Sequence, residues 1–231
     1  DMTIAGKARK IRDPILMQGK RYLVRLNEKI NGLPFYARMN PKSSPGRIFL
    51  HSRLVSDGHS AYDEIPAGYT GCHWLMIMPK CFSVELCGTE SISQIRFFKG
   101  NARLTRKELD RELGMMEFIS FPEQPPLFEP KRIEVFGENI ASMPLTVDFD
   151  TNIVAYVTKK NDTPIKICNR DTVVSDYFDR IYKDQIGITG LVMEEKRGYL
   201  FGSFETTQLP AHLSSEVIAI SEKYGDLRSH Y

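Results

Sequence analysis

Asn40-Pro41-Lys42-Ser43-Ser44-Pro45-Gly46-Arg47 gathers a lysine, two adjacent hydroxyls, a glycine and an arginine into one short turn between two apolar segments. The prolines fix φ nearby and Gly46 permits tight curvature. Backbone N–H groups and the Ser43 and Ser44 hydroxyls can therefore converge on an anion. Lys42 and Arg47 add charge-assisted contacts, the donor set that suits phosphate oxygens. The plainer reading of the same residues is a solvated turn after a strand.

Three further stretches follow in order: Asp63-Glu64-Ile65-Pro66-Ala67-Gly68-Tyr69-Thr70-Gly71, then Trp74-Leu75-Met76-Ile77-Met78-Pro79, then Ser91-Ile92-Ser93-Gln94-Ile95-Arg96-Phe97. With the anion loop, they resemble the dUTPase/dCTP deaminase superfamily, most closely the two-repeat bacterial 2′-deoxycytidine 5′-triphosphate deaminases. The resemblance covers residues 20–104 well and 140–231 more loosely. It implies a mainly β fold, with dUTPase-like β-barrel (β-clip) units in two tandem copies and short connecting helices. It also implies hydrolysis of dCTP to dUTP and ammonia.

Carried over residue by residue, the resemblance places Ser43 and Arg47 where the family holds the water and assists at the reacting ring. Lys42, Ser44 and Gln94 fall on triphosphate-contacting positions, with Gly46 in the same loop. Ile65, Ala67 and Tyr69 belong to the hairpin whose backbone reads the pyrimidine. The family uses no catalytic metal, and Mg2+ accompanies the triphosphate rather than binding protein ligands. The zinc deaminase signature, H-x-E with P-C-x-x-C, is missing from the sequence.

Two residues depart from the pattern. Met76 stands where the family has its catalytic glutamate, and a thioether cannot take a proton from water. On a strand expected to be buried, Met76 reads as core. Pro66 stands where dUTPases carry their water-activating aspartate, which argues against diphosphohydrolase activity. An active protein would need its glutamate from an adjoining subunit or from sequence beyond Tyr231. Asp63 and Glu85 read as exposed carboxylates, and His51 and His230 as strand histidines with structural hydrogen bonds.

With 231 residues, 42% of them hydrophobic, the chain can bury one substantial core or two small ones. The 31 basic and 29 acidic residues are interspersed, and a net charge of +2 argues against nucleic acid as a partner. Cys72, Cys81, Cys87 and Cys168 show no C-x-x-C spacing, so free thiols in a reducing cytoplasm are expected. No apolar run approaches the ~18 residues of a membrane span, so no membrane partner is expected. The start at Asp1, without an initiator methionine, suggests a processed or truncated N-terminus.

Short apolar stretches with Gly and Pro punctuation predict strands over 21–26, 33–39, 48–51, 69–78, 82–86 and 92–98, with turns at Asn31-Gly32 and Asp57-Gly58. Thr105 to Leu113 has capping-box spacing in Thr105 and Glu108, with Gly114 as its stop. A second helix is expected over 172–183, with Val173, Val174, Tyr177, Phe178 and Ile181 on one face. The four prolines between Phe121 and Pro130 predict a linker.

Tyr22-Leu23 reappears as Tyr199-Leu200, Leu33-Pro34 as Leu209-Pro210, and Gly46, Ile48 and His51 as Gly225, Leu227 and His230. Their common order predicts a first unit over 1–118, a linker over 119–139 and a second, incomplete unit over 140–231. Because an open sheet would expose apolar edges, a natural chain running past Tyr231 is expected.

Three functions compete: a dCTP deaminase, a non-catalytic nucleotide-binding or regulatory protein on the same fold, and a β-rich interaction module without a nucleotide. The resemblance also implies a homotrimer with sites between subunits.

Overall fold

The computed structural model describes residues 14–88, 90–100, 102–115, 119–120, 134–135, 141–142, 145–169, 171–187, 190–207 and 209–217. The chain is mainly β. Its first half contains β1 (Ile15–Leu16), β2 (Tyr22–Ile30), β3 (Tyr36–Pro41), α1 (Ser43–Arg47), β4 (Leu50–Ser56), β5 (Glu64–Ile65), β6 (Gly71–Pro79), β7 (Val84–Glu85), β8 (Ser93–Phe98) and α2 (Arg106–Met115). Then come β9 (Ile119–Ser120), β10 (Glu134–Val135), β11 (Ala141–Ser142), β12 (Ile153–Thr158), β13 (Ile165–Lys166), α3 (Val174–Tyr177), β14 (Phe178–Tyr182), β15 (Tyr199–Phe201) and β16 (Thr206–Thr207).

Two three-stranded sheets position the anion loop, in the orders β2-β6-β4 and β5-β3-β8. Along β6 burial alternates, with His73, Leu75, Ile77 and Pro79 buried and Cys72, Trp74, Met76 and Met78 half-buried. That alternation is the signature of a strand with one face on the core. Met76 is therefore not core as expected: it lies on the half-buried face, between Leu23 of β2 and Arg53 of β4. Gly32 and Gly58 adopt φ of 60° and 72° at the two expected turns, a region glycine enters without a Cβ clash.

His73 is buried, and its Nδ1 lies 3.0 Å from the Ser56 hydroxyl. Burial pushes the imidazole pKa down, with Asp57 opposing weakly. A depressed folded-state pKa gives stability that is present above the unfolded value near 6.5 and lost as pH falls through the folded value. Melting temperature should drop as pH is lowered below about 6.5, and a His73→Gln variant should show a flatter dependence over the same range.

Asp63 corrects another expectation. Its side chain is only 15% exposed, it ion-pairs with Arg53, and it accepts the Leu54 N–H at 2.7 Å. Burial raises its pKa despite those contacts. The carboxylate thus fixes the turn into β5 rather than facing solvent. Glu85 departs from the same expectation: it is half-buried and pairs across the β7–β13 seam with Lys166 at 3.1 Å.

The halves of the chain are sewn together. Parallel pairing matches Val84 with Ile165 and Glu85 with Lys166, in a sheet ordered β1-β7-β13. Two residues further along each strand, the register brings Cys87 opposite Cys168, and the two form a disulfide. Free thiols were expected at both positions; among the described residues Cys72 and Cys81 are free. Cysteine usage therefore gives no argument for a reducing compartment. The bridge spans a sequence separation of 81, so removing it relaxes a long-loop constraint on the unfolded chain. Cys87→Ser should lower unfolding free energy by about 2–4 kcal/mol, read as a shift in urea midpoint that reductant reproduces in the parent protein.

The expected helix over 172–183 is also corrected. Within it Val174–Tyr177 is α-helical, Phe178–Tyr182 is a strand paired with β12, and Lys183 opens a 3-10 turn, Lys183–Gln185. Val173 and Val174, assigned to an apolar face, are 54% and 59% exposed. Among its β-branched and aromatic residues, Phe178 and Ile181 gain more from a half-buried sheet than from a helix. The helix expected from Thr105, α2, has its cap, with Thr105 N–H donating to Glu108 at 2.7 Å and Glu108 N–H to Thr105 Oγ1 at 3.4 Å. The helix continues through Gly114 instead of stopping there. The proline-rich stretch over 121–130 and the positions of Gly225, Leu227 and His230 lie outside the described residues.

One local device occurs twice. Met17 N–H donates to the Tyr22 hydroxyl, and Glu194 N–H donates to the Tyr199 hydroxyl, each at 2.8 Å and across five residues. Both tyrosines open a strand, β2 and β15.

Candidate functional site

The apolar-to-polar switch after Met39 ends β3 at the anion loop. The expected short turn is helical: Pro41 still belongs to β3, and Ser43–Arg47 form a single helical turn. Lys42 N–H donates to the Ile92 carbonyl at 2.9 Å, tying the start of the turn to the approach to β8. Gly46 N–H donates to the Lys42 carbonyl at 3.1 Å, closing the turn. Pro45 and Gly46 are buried beneath it, while Ser43, Ser44 and Arg47 are exposed and Lys42 is half-buried. The buried side anchors the turn and leaves its hydroxyls and guanidinium toward solvent.

Gln94 joins them, standing opposite Asn40 in the β3–β8 register and exposed. Lys42, Ser43, Ser44, Arg47 and Gln94 thus share one end of this sheet. All can donate to phosphate oxygens, and none carries a carboxylate. Among the described residues, one group of three potential metal ligands lies within 4.8 Å, Cys87, Glu90 and Cys168, and its sulfurs are bonded to each other.

The hairpin residues are placed elsewhere. Ile65 pairs antiparallel with Ala37, so the chain after it runs back along β3, away from the anion loop. Gly68 N–H reaches the Leu33 carbonyl at 2.6 Å, and Gly32 N–H reaches the Tyr69 carbonyl at 2.9 Å. From Ala37 to Lys42 the strand advances roughly 17 Å at ~3.3 Å per residue. Within one chain, the hairpin and the loop sit at opposite ends of β3.

Ile65 itself is fully buried, so it offers only backbone to a ligand, while Ala67 is exposed. The Tyr69 hydroxyl donates to the Cys72 carbonyl at 2.9 Å, and its ring lies 5.0 Å from His73. Tyr69 therefore braces the hairpin. His51 is half-buried on β4 opposite Met78.

Sequence reasoning missed a carboxylate near the loop. The Asn40 amide donates to Glu216 Oε1 at 2.8 Å, and Arg38 and Arg96 flank the same carboxylate. The separation of 176 residues between Asn40 and Glu216 leaves no local pattern to find. In-register basic residues on two predicted strands, Arg38 and Arg96, were the available signal.

This mainly β arrangement, with a phosphate-suited turn between two strands, defines a dUTPase-like protein. Residues 7–101 match the 2′-deoxycytidine 5′-triphosphate deaminase (DCD) N-terminal domain, and residues 122–231 match the DCD C-terminal domain. The chain belongs to the 2′-deoxycytidine 5′-triphosphate deaminase family. It is similar to the crystal structure of 2′-deoxycytidine 5′-triphosphate deaminase from Agrobacterium tumefaciens, with a TM-score of 0.71 and 26% sequence identity. The match covers 86% of this chain and 57% of that one. A search of curated protein sequences found no significant match. Among the described residues, no helix is long and apolar enough to cross a membrane.

Proposed function

We propose that this chain carries the nucleotide site of a dCTP deaminase, converting dCTP and water to dUTP and ammonia. The observation that carries this reading is the α1 turn. Its buried Pro45-Gly46 base presents Ser43, Ser44 and Arg47 to solvent, beside Lys42 and Gln94. Lys42, Ser44 and Gln94 are assigned to the triphosphate, whose accompanying magnesium would offset phosphate charge. Ser43 is assigned to orient the water at C4. Arg47 stabilises charge that develops as the tetrahedral centre forms. Collapse of that centre breaks the C4–N4 bond and releases ammonia after proton transfer to the leaving nitrogen.

Two features shape the rest of the reading. The hairpin over 65–69 runs away from the loop of its own chain, which supports a site completed by a partner subunit's hairpin. A homotrimer satisfies that requirement for every copy. Met76 leaves no carboxylate at the family's glutamate position, so the base is assigned to an adjoining subunit or to another part of the protein. The paired tyrosine devices at 22 and 199 support two related units.

Met76 favours one alternative, a nucleotide-binding or regulatory protein without turnover. Incubation of the full chain with dCTP and magnesium distinguishes the two. The leading reading expects equal amounts of ammonia and dUTP, whereas saturable dCTP binding without either product selects the alternative. Absence of both binding and turnover defeats the nucleotide reading.

A further inference from the structure

The β3–β8 register sets Arg38 directly opposite Arg96, and Asn40 opposite Gln94. Side chains two apart on a strand share a face, so all four project from the same side of this ribbon. Two guanidiniums placed opposite each other repel unless an anion lies between them. Here that anion is a carboxylate from far along the chain, Glu216.

We propose that Arg38, Asn40 and Arg96 form a second anion site, a cradle for a phosphoryl group, which Glu216 fills as an intramolecular competitor. The carboxylate fits it incompletely. Glu216 Oε1 receives the Asn40 amide at 2.8 Å, but lies 3.3 Å from Arg96 Nη2, and Oε2 lies 3.7 Å from Arg38 Nη1. Tight guanidinium–carboxylate bonds are nearer 2.8 Å. Arg96 Nε is buried and makes no hydrogen bond to any described group, a cost that a better-shaped anion would remove. A tetrahedral phosphoryl group offers a third oxygen and more charge than a planar carboxylate.

The cradle is reachable, because the side chains of Arg38, Arg96 and Glu216 are 27%, 32% and 25% exposed. Glu216 arrives on residues 209–217, a described segment with no strand or helix, so its withdrawal breaks no sheet pairing. The phosphoryl group can belong to a nucleotide or to free phosphate. The proposal stands on this geometry and is independent of whether a cytosine ring is deaminated.

The test titrates the full chain with inorganic pyrophosphate, by calorimetry at low ionic strength, and repeats it after Glu216→Gln. Removing the competitor is expected to tighten binding about tenfold, the worth of one charge-assisted contact. Adding Arg96→Gln to that variant should abolish the gain, and adding Lys29→Ala, an exposed lysine on β2 in the other sheet, should preserve it. If the Arg96 variant does not fold, Arg38→Gln serves the same purpose. Unchanged or weaker binding after Glu216→Gln overturns the proposal and leaves Glu216 as a tether between the halves. A gain that survives loss of the cradle arginine overturns it too, because the anion would then sit elsewhere.

Discussion

Ser43→Ala is expected to lower ammonia release from dCTP by about 10²–10³-fold, the range seen when one positioned polar group at a reacting centre is removed. Ser43 is the first residue of α1 and is exposed, so the variant keeps the buried Pro45-Gly46 base of the turn. Its stability should therefore stay within about 0.5 kcal/mol of the parent, as for ordinary surface substitutions. Affinity for dCTP should change little, because Lys42, Ser44 and Gln94 are the residues assigned to the triphosphate. Loss of turnover with binding intact separates a group acting at the ring from one holding phosphate. A Ser43→Ala protein with parental turnover would remove Ser43 from the chemistry, and one that no longer folds would make its role structural.

The second large effect concerns the seam between the halves. Phe82 is fully buried, with its ring meeting Tyr177 at 5.6 Å and Phe178 at 5.4 Å, both edge-on. Phe49 and Ile165 complete the same cluster, so residues from both halves share one core. Phe82→Ala should cost about 3–5 kcal/mol through lost burial and the cavity it leaves. The edge-to-face geometry adds to that loss. Urea unfolding followed by the single tryptophan, Trp74, reads the effect on the first half directly. A cost below about 1 kcal/mol would mean that the aromatic cluster does not couple the halves.

The features that could be read from sequence are those encoded locally. The anion loop carries its donors within eight residues, and Asn31-Gly32 and Asp57-Gly58 announce turns because glycine alone tolerates their φ cheaply. Thr105 and Glu108 reveal a cap through a three-residue spacing. What escaped depends on register between distant strands. Val173, Val174, Tyr177, Phe178 and Ile181 fit a helical face on paper, yet pairing with β12 draws Phe178–Tyr182 into a strand. Cys87 and Cys168 carry no spacing signal, and only the parallel match of β7 with β13 sets them opposite each other.

The same logic applies to the site. Matching the hairpin over 65–69 to a family motif could not show that it runs to the far end of β3; that follows from Ile65 pairing antiparallel with Ala37. Met76 could be set at the family's glutamate position by resemblance, but its half-buried face was not legible, because Trp74-Leu75-Met76-Ile77-Met78 is apolar on both sides. Such a run hides the period-two alternation that distinguishes core from flank.

The central claim, that the loop over 42–47 serves hydrolytic deamination of dCTP, is tested most directly by turnover in heavy-oxygen water. Product dUTP should carry one heavy oxygen on the pyrimidine ring, at C4, with an equal amount of ammonia, and Ser43→Ala should suppress both. Heavy oxygen in released phosphate or pyrophosphate, or bound dCTP recovered unchanged, would contradict the account.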